Sequence, residues 1–252
     1  MRLALRRRRF DPDYLFVVTF GRSGSTLVQG LLNSLPATLV RGENGFFVHD
    51  LYRASASAEA FGRAHAKHGS KQVTSAFYGV RRLRREPFVA ATRQIAHDVL
   101  LGQHGADRVK RLGFKEVLWH RIAPAETEDF FGWFEEVFPG ARYVLNTRDV
   151  AAASTSGFWQ RQQQEEALAS IARVIEVQEF LRRTRPDRFV DVRYEALTGD
   201  RSASDAELTR LATFVTGACD PALLETLRGV LAVGHGPNPF GKSRRDRTHA
   251  GG

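Results

Sequence analysis

An α/β fold, a three-layer sandwich with a central parallel sheet and helices on both faces, is predicted by three observations. Strand-like and helix-like segments alternate along the chain, as strand–crossover–strand units require. The run at 15–20 is uncharged, β-branched and aromatic at consecutive positions, which suits a strand buried on both sides. Between 14 and 33, in YLFVVTFGRSGSTLVQGLLN, that strand passes through a turn of small residues directly into an apolar helical pattern.

Taken in order, residues 1–12 read as a basic leader and 13–252 as one domain, since 252 residues suffice for one sizeable core. After the first strand, Gly21 and Gly24 permit backbone angles that side chains resist and let main-chain N–H groups approach an anion. Ser25 and Thr26 fall where the next helix begins, so hydroxyls, free amides and the positive end of a helix dipole converge on one place, a socket for a dianion. That helix covers 27–35 and stops at Pro36; a short second strand covers 37–40. Residues 41–50, RGENGFFVHD, read as a loop and the alanine-rich 54–68 as a helix. The irregular stretch 70–86 contains RRLRRE and reads chiefly as a solvated basic face, with an acceptor-binding or lid role as the lesser alternative. Proline opens an amphipathic helix at 87–101. A strand at 111–118, a helix at 126–138 closed by Pro139 and Gly140, a strand at 141–147, a long helix at 160–184, a strand at 189–193 and helices at 205–215 and 221–230 complete the pattern. The tail 234–252 is rich in glycine, proline and basic residues.

The formal charge is +9 and the isoelectric point about 10.3. Only five of the 37 basic residues are lysine, at 67, 71, 110, 115 and 242; the rest are arginine, whose planar fork suits phosphate and sulfate. Such a surface attracts polyanionic nucleotides. The basic residues are not interleaved with stacking aromatics, which argues against a nucleic-acid partner. A single cysteine, Cys219, excludes an intramolecular disulfide and a cysteine-rich metal site. No apolar run approaches the length a bilayer needs, and Asp11 and Asp13 interrupt the basic leader before a signal-peptide core could form. A cytoplasmic location is the expectation.

The loop is not that of nucleotide triphosphatases, which requires G-x-x-x-x-G-K-[ST]. Gly24 precedes Ser25, and the basic residue is Arg22 within the turn. Strand, then RSGST, then helix resembles the 5′-phosphosulfate loop of sulfotransferases that use 3′-phosphoadenosine 5′-phosphosulfate (PAPS), in the arginine form of the tyrosylprotein and carbohydrate branches. The resemblance implies that Arg22, Ser23, Gly24, Ser25 and Thr26 hold the donor. It extends to Arg148, directly after the strand ARYVLNT, and to Ser156 eight residues later, positions that in the family hold the 3′-phosphate. A strand end leading into a helix also places an arginine fork and a hydroxyl at the carboxyl edge of an open sheet, where ligands bind. VRYEAL at 192–197 resembles the family's late R-Y-E-x-L segment and makes Tyr194 a candidate ligand; GPNPFGKSRR adds Lys242.

The same resemblance implies transfer of a sulfuryl group from PAPS to a hydroxyl of a carbohydrate, glycolipid or secondary metabolite, leaving adenosine 3′,5′-bisphosphate (PAP) and needing no metal. Arg22 is then assigned to the bridging oxygen of the leaving group and Lys115, at the end of RLGFK, to the sulfuryl group. Glu43 is the favoured general base, because RGEN resembles the R-x-G-E-E stretch of the tyrosylprotein branch with Asn44 in place of the second glutamate. Partial burial among aromatics such as Phe46 and Phe47 would supply the raised pKa a base needs. Glu116 is its rival and reads as a structural neighbour of Lys115; His49 and His120 are remoter candidates. Trp133 is assigned to the core, and Phe158 and Trp159 either to an acceptor cleft or to the core. A small-molecule kinase, or a module that binds nucleotides or nucleic acid without catalysis, is the alternative reading of the loop.

Overall fold

The computed structural model describes residues 10–69, 72–154 and 164–233. Five strands form one sheet in the order β2-β3-β1-β4-β5, and every neighbouring pair is parallel. They are β1 (Asp13–Val18), β2 (Thr38–Arg41), β3 (Arg111–Glu116), β4 (Arg142–Thr147) and β5 (Phe189–Arg193). The helices are α1 (Ser25–Asn33), α2 (Phe47–His65), α3 (Arg85–Leu101), α4 (Thr127–Val137), α5 (Val150–Ser154), α6 (Gln164–Thr184), α7 (Tyr194–Leu197), α8 (Arg201–Thr216) and α9 (Pro221–Val233). This is the three-layer α/β sandwich that the alternating pattern predicts.

The period-2 alternation of β1 divides the core. Tyr14, Phe16 and Val18 face one layer, with α2, α3, α4 and α6; Leu15 and Val17 face the other, with α1, α8 and α9. The first layer is aromatic: the ring of Phe16 lies 4.8 Å from Phe114, 4.7 Å from Phe134 and 4.9 Å from Phe138. The second is built of leucine and valine, with no aromatic ring among its fully buried members. Each such buried side chain contributes about 1.5–3 kcal/mol through removal of apolar surface from water. Trp133 is 1% exposed and belongs to the aromatic layer. Gly113 is required by the close approach of strands, because a Cβ there would stand 1.6 Å from the Leu15 carbonyl oxygen.

Topology fixes where a ligand can enter. The chain leaves β1 through α1 toward β2 on one side of the sheet, and leaves β4 through α6 toward β5 on the other. Strands β1 and β4 are neighbours whose connections diverge, so a crevice opens at their carboxyl ends, the usual ligand position in such sheets.

Several boundaries differ from the local pattern. Residues 41–50 are not all loop, because α2 already begins at Phe47. Its N-cap, Phe46, has φ 57°, and the Phe46 N–H is taken by Asn44 Oδ1 at 3.1 Å and by Glu116 Oε2 at 3.0 Å. A carboxylate from β3 therefore starts this helix, which no local pattern announces. Helix α8 begins four residues before the expected Asp205, capped by Asp200, whose side chain accepts from the Ala203 N–H.

Candidate active site

The strand register brings Val18 level with Glu116 on one side and Leu145 on the other, so the ends of β1, β3 and β4 share one edge. The turn after β1 is inverted twice in quick succession: Arg22 has φ 66° and Gly24 φ 80°. Glycine is needed at 24 for a second reason, since a Cβ there would lie 2.1 Å from Cδ2 of Tyr194. Gly24 is the N-cap of α1 and has no side chain to cap it, so the first turn of that helix keeps N–H groups to offer an anion. Ser25, its first residue, is nearly buried and Thr26 is exposed.

Ser23, a sequence-predicted donor-loop residue, turns its side chain into the fold. Its hydroxyl points inward, fully buried, 2.5 Å from Thr19 Oγ1 and 3.0 Å from Asn146 Oδ1. Thr19 Oγ1 is itself 3.1 Å from the same amide oxygen, and Asn146 Nδ2 donates to the Val192 carbonyl on β5 at 3.3 Å. The Ser23 side chain is thus an anchor of the turn. From α6, Gln178 Nε2 donates to the carbonyls of Val18 (2.8 Å) and Asn146 (3.2 Å), while Trp119 Nε1 donates to Val17 (3.2 Å). Where β1 and β4 splay apart, side chains replace the missing ladder partners. Asn146, Thr19 and Gln178 were not singled out by the sequence. The signal available was a polar residue in the otherwise apolar strand YVLN, two places before Arg148.

Arg148 follows β4. Its Nη1 donates to the Arg22 carbonyl at 3.0 Å, and its guanidinium lies 4.3 Å from the ring centre of Tyr194, the first residue of α7. Its Nε is buried with no hydrogen-bond partner among the described residues. Arg22, Gly24, Arg148 and Tyr194 therefore form one contiguous group. Ser156 and Lys242, and with them Phe158 and Trp159, lie outside the described residues.

A second group occupies the ends of β2 and β3. Lys115 is 4% exposed, and its Nζ donates to Glu43 Oε1 at 2.5 Å; the Glu43 side chain is 53% exposed. Glu43 is not sheathed by aromatics as expected: Phe46 is fully buried in the core, stacked on His49 with ring centres 5.4 Å apart. Glu116 is fully buried and does not pair with Lys115. Its Oε2 accepts the N–H groups of Asn44 (3.1 Å) and Phe46 (3.0 Å), and its Oε1 those of Val117 (2.8 Å) and Leu118 (3.2 Å). Four main-chain donors occupy it, so it fastens the segment that carries Glu43 to the strand that carries Lys115.

The histidines are placed apart from this pair. Buried His49 has Nε2 2.8 Å from Glu126 Oε1. Burial raises the Glu126 carboxyl, but hydrogen bonds from His49 and the Ala123 N–H, with the charge of His49, bring it below its ordinary value overall. His120 is half-buried, and burial lowers its pKa, with the nearby Arg121 acting in the same direction. Among the described residues no three histidine, cysteine or carboxylate side chains are grouped to hold a metal, and no helix is long and apolar enough to cross a membrane.

A parallel sheet carrying a glycine turn, an uncapped helix start and two arginines at its switch point defines a three-layer α/β protein of the phosphate-loop type. Residues 12–215 match the model of the sulfotransferase family, and the chain belongs to that family. A search of the curated proteins found no match. Among solved structures, the sulfotransferase domain of the olefin synthase of Synechococcus PCC 7002 is similar in fold, with 21% identity over 90% of this chain and 82% of that one and a TM-score of 0.51. A sulfotransferase from Mycobacterium tuberculosis H37Rv aligns over 88% of this chain and 77% of that one, with 16% identity and a TM-score of 0.40.

Proposed function

We propose that the protein transfers a sulfuryl group from PAPS to a hydroxyl of a carbohydrate, glycolipid or secondary metabolite. The observation that carries this reading is the union of two phosphate-type sites in one contact: Arg148, directly after β4, is hydrogen-bonded to the loop residue Arg22 across the uncapped start of α1. A donor with phosphate groups at both its 3′ and 5′ positions would need two such sites side by side.

The residues present fit that donor. Gly24 leaves the turn without a side chain, α1 offers unfilled N–H groups, and the buried Nε of Arg148 lacks a partner among the described residues. Ser25, Thr26 and the main chain of 22–24 would hold the 5′ side, and Arg148, flanked by Tyr194, the 3′ side, with Ser156 and Lys242 as further candidates. When bound, the donor supplies the sulfuryl group and departs as PAP. Glu43 accepts the proton of the acceptor hydroxyl at its solvent-facing carboxylate, which Lys115 orients. Lys115 and Arg22 place fixed positive charge beside the developing negative charge.

The test is calorimetry without added metal, comparing adenosine 3′,5′-bisphosphate with ATP and AMP. Selective binding of the bisphosphate is expected. Preference for ATP would move a kinase to the front, and no binding of any of the three would discard the donor site.

A further inference from the structure

The basic stretch after α2 has no part in the chemistry above. Residues 72–83 fold as tight turns against the C-terminal end of that helix. The N–H of Ser75 bonds to Gln72 O and that of Tyr78 to Ser75 O, both at 3.0 Å, before the short helical turn Val80–Arg82. Arg81 Nε donates to the Ala66 carbonyl at 3.1 Å, and Gly62 admits the Leu83 main chain so closely that a Cβ would stand 2.4 Å from its oxygen. Phe77 stacks on His65 with ring centres 4.8 Å apart, and His65 in turn meets Phe61 at 4.4 Å. Buried Val80 pins the segment from beneath.

What this scaffold presents is unusual for a solvated face. Val73 is 75% exposed and Tyr78 55% on the turns, and Phe61 49% near the end of α2: three large apolar side chains stand outward together. Around them stand exposed Lys67, Arg81 and Arg82, none with a carboxylate partner among the described residues. From 61 to 86 the only acidic residue is Glu86. Helix α2 has 19 residues and so extends about 28 Å from its start beside the Glu43 segment, which sets this patch apart from the candidate active site.

We propose that this patch docks the protein peripherally on a membrane surface containing anionic lipid. Apolar tips inside a basic collar match an interface in which anionic headgroups overlie acyl chains: the cations meet the headgroups, while valine and the aromatic rings enter the boundary. Charge complementarity selects this occupant over a second copy of the chain, whose identical face would repel it. The proposal is independent of the donor and acceptor assignments.

The experiment is co-sedimentation of the full chain with phosphatidylcholine vesicles, with and without phosphatidylserine, using the wild type and two multiple variants. One is Lys67→Gln with Arg81→Gln and Arg82→Gln; the other is Val73→Ser with Tyr78→Ser. Circular dichroism melting verifies that each variant folds, and all five positions are exposed. Binding is expected only with phosphatidylserine. The charge variant should lower the partition coefficient about a hundredfold, at roughly fivefold per basic residue, and the apolar variant should lower it about tenfold or more. No binding to phosphatidylserine vesicles overturns the proposal. Binding unchanged in both variants assigns it to another part of the chain, such as the basic residues 1–9, and also overturns it. Binding that follows the charge variant but ignores the apolar one indicates a general polyanion face suited to an acidic protein, and overturns the membrane assignment.

Discussion

At the carboxyl end of β1, the turn 19–26 is held largely by its own residues and by the neighbouring strand: Thr19 and Ser23 share the amide of Asn146, and Gly24 lies against Tyr194. At the ends of β2 and β3, Glu43 stands half in solvent and owes its position to Lys115 and Glu116, both more than 70 residues further along the chain. The first region is a stiff cradle with its polar side chains turned inward. The second is an exposed carboxylate on a tether that a buried carboxylate fastens. A cradle suits a ligand of fixed shape, and an open carboxylate suits acceptors that vary, so substitutions on the two sides should separate binding of donor from turnover.

The largest expected effect is on the second side. Glu43→Gln keeps the side chain's size and a hydrogen-bonding oxygen for Lys115 but removes the base. Turnover should fall about 10²- to 10⁴-fold, while calorimetric affinity for adenosine 3′,5′-bisphosphate stays as in the wild type. Loss of bisphosphate affinity in this variant would mean that the two regions are one site and would undo the comparison.

On the first side, Gly24→Ala should act through shape alone. The left-handed backbone costs an alanine about 1–2 kcal/mol, and the Cβ overlaps the ring of Tyr194, at a further cost of about 1–3 kcal/mol. Displacing Tyr194 also removes the surface on which Arg148 lies. Lower thermal stability together with weakened bisphosphate binding is therefore expected, and unchanged affinity would show that the Tyr194 ring does not shape the socket. Arg148→Ala is the milder change. It should cost about 1.5–3 kcal/mol of bisphosphate binding, the usual worth of a hydrogen bond to a charged group; equal affinity in variant and wild type would remove Arg148 from the donor site.

The same division explains what the sequence discloses. The glycine turn is legible from its residue types between a strand and a helix, and Arg148 and Tyr194 were singled out by the resemblance of their segments to family motifs; the structure brings them together beside that turn. The sheet's membership is legible too, because uncharged runs of β-branched, aromatic and aliphatic residues such as 15–20 and 143–145 have few other fates. The fastening is not. Glu116 finds the N–H of Phe46 across 70 residues, and Gln178 finds the Val18 carbonyl across 160. Neither partner carries a local mark, and an N–H donor looks the same at every position. Hence neighbouring residues alone announce neither the start of α2 at Phe47 nor the turn of Phe46 into the core, away from Glu43.

The smallest expected effect concerns His120, half-buried in the turn Leu118–Arg121 that follows β3 and a rival for the role of base. Burial, aided by Arg121, lowers its pKa from 6.5 in the folded protein, against opposing contributions from the Val117 backbone and Glu116. Between the folded value and 6.5 the unfolded chain binds more protons than the native one, so stability falls as pH is lowered through this window and levels off below it. His120→Asn should flatten that part of the curve in denaturant unfolding across a pH series, and should leave stability near neutral pH within about 0.5 kcal/mol. An identical slope in both proteins would show that His120 titrates alike in the folded and unfolded chains. Turnover sharpens the comparison: with Glu43 as the base, His120→Asn retains most of the wild-type rate. A loss as deep as that of Glu43→Gln, with bisphosphate affinity intact, would move proton transfer from the exposed carboxylate of Glu43 to the half-buried ring of His120.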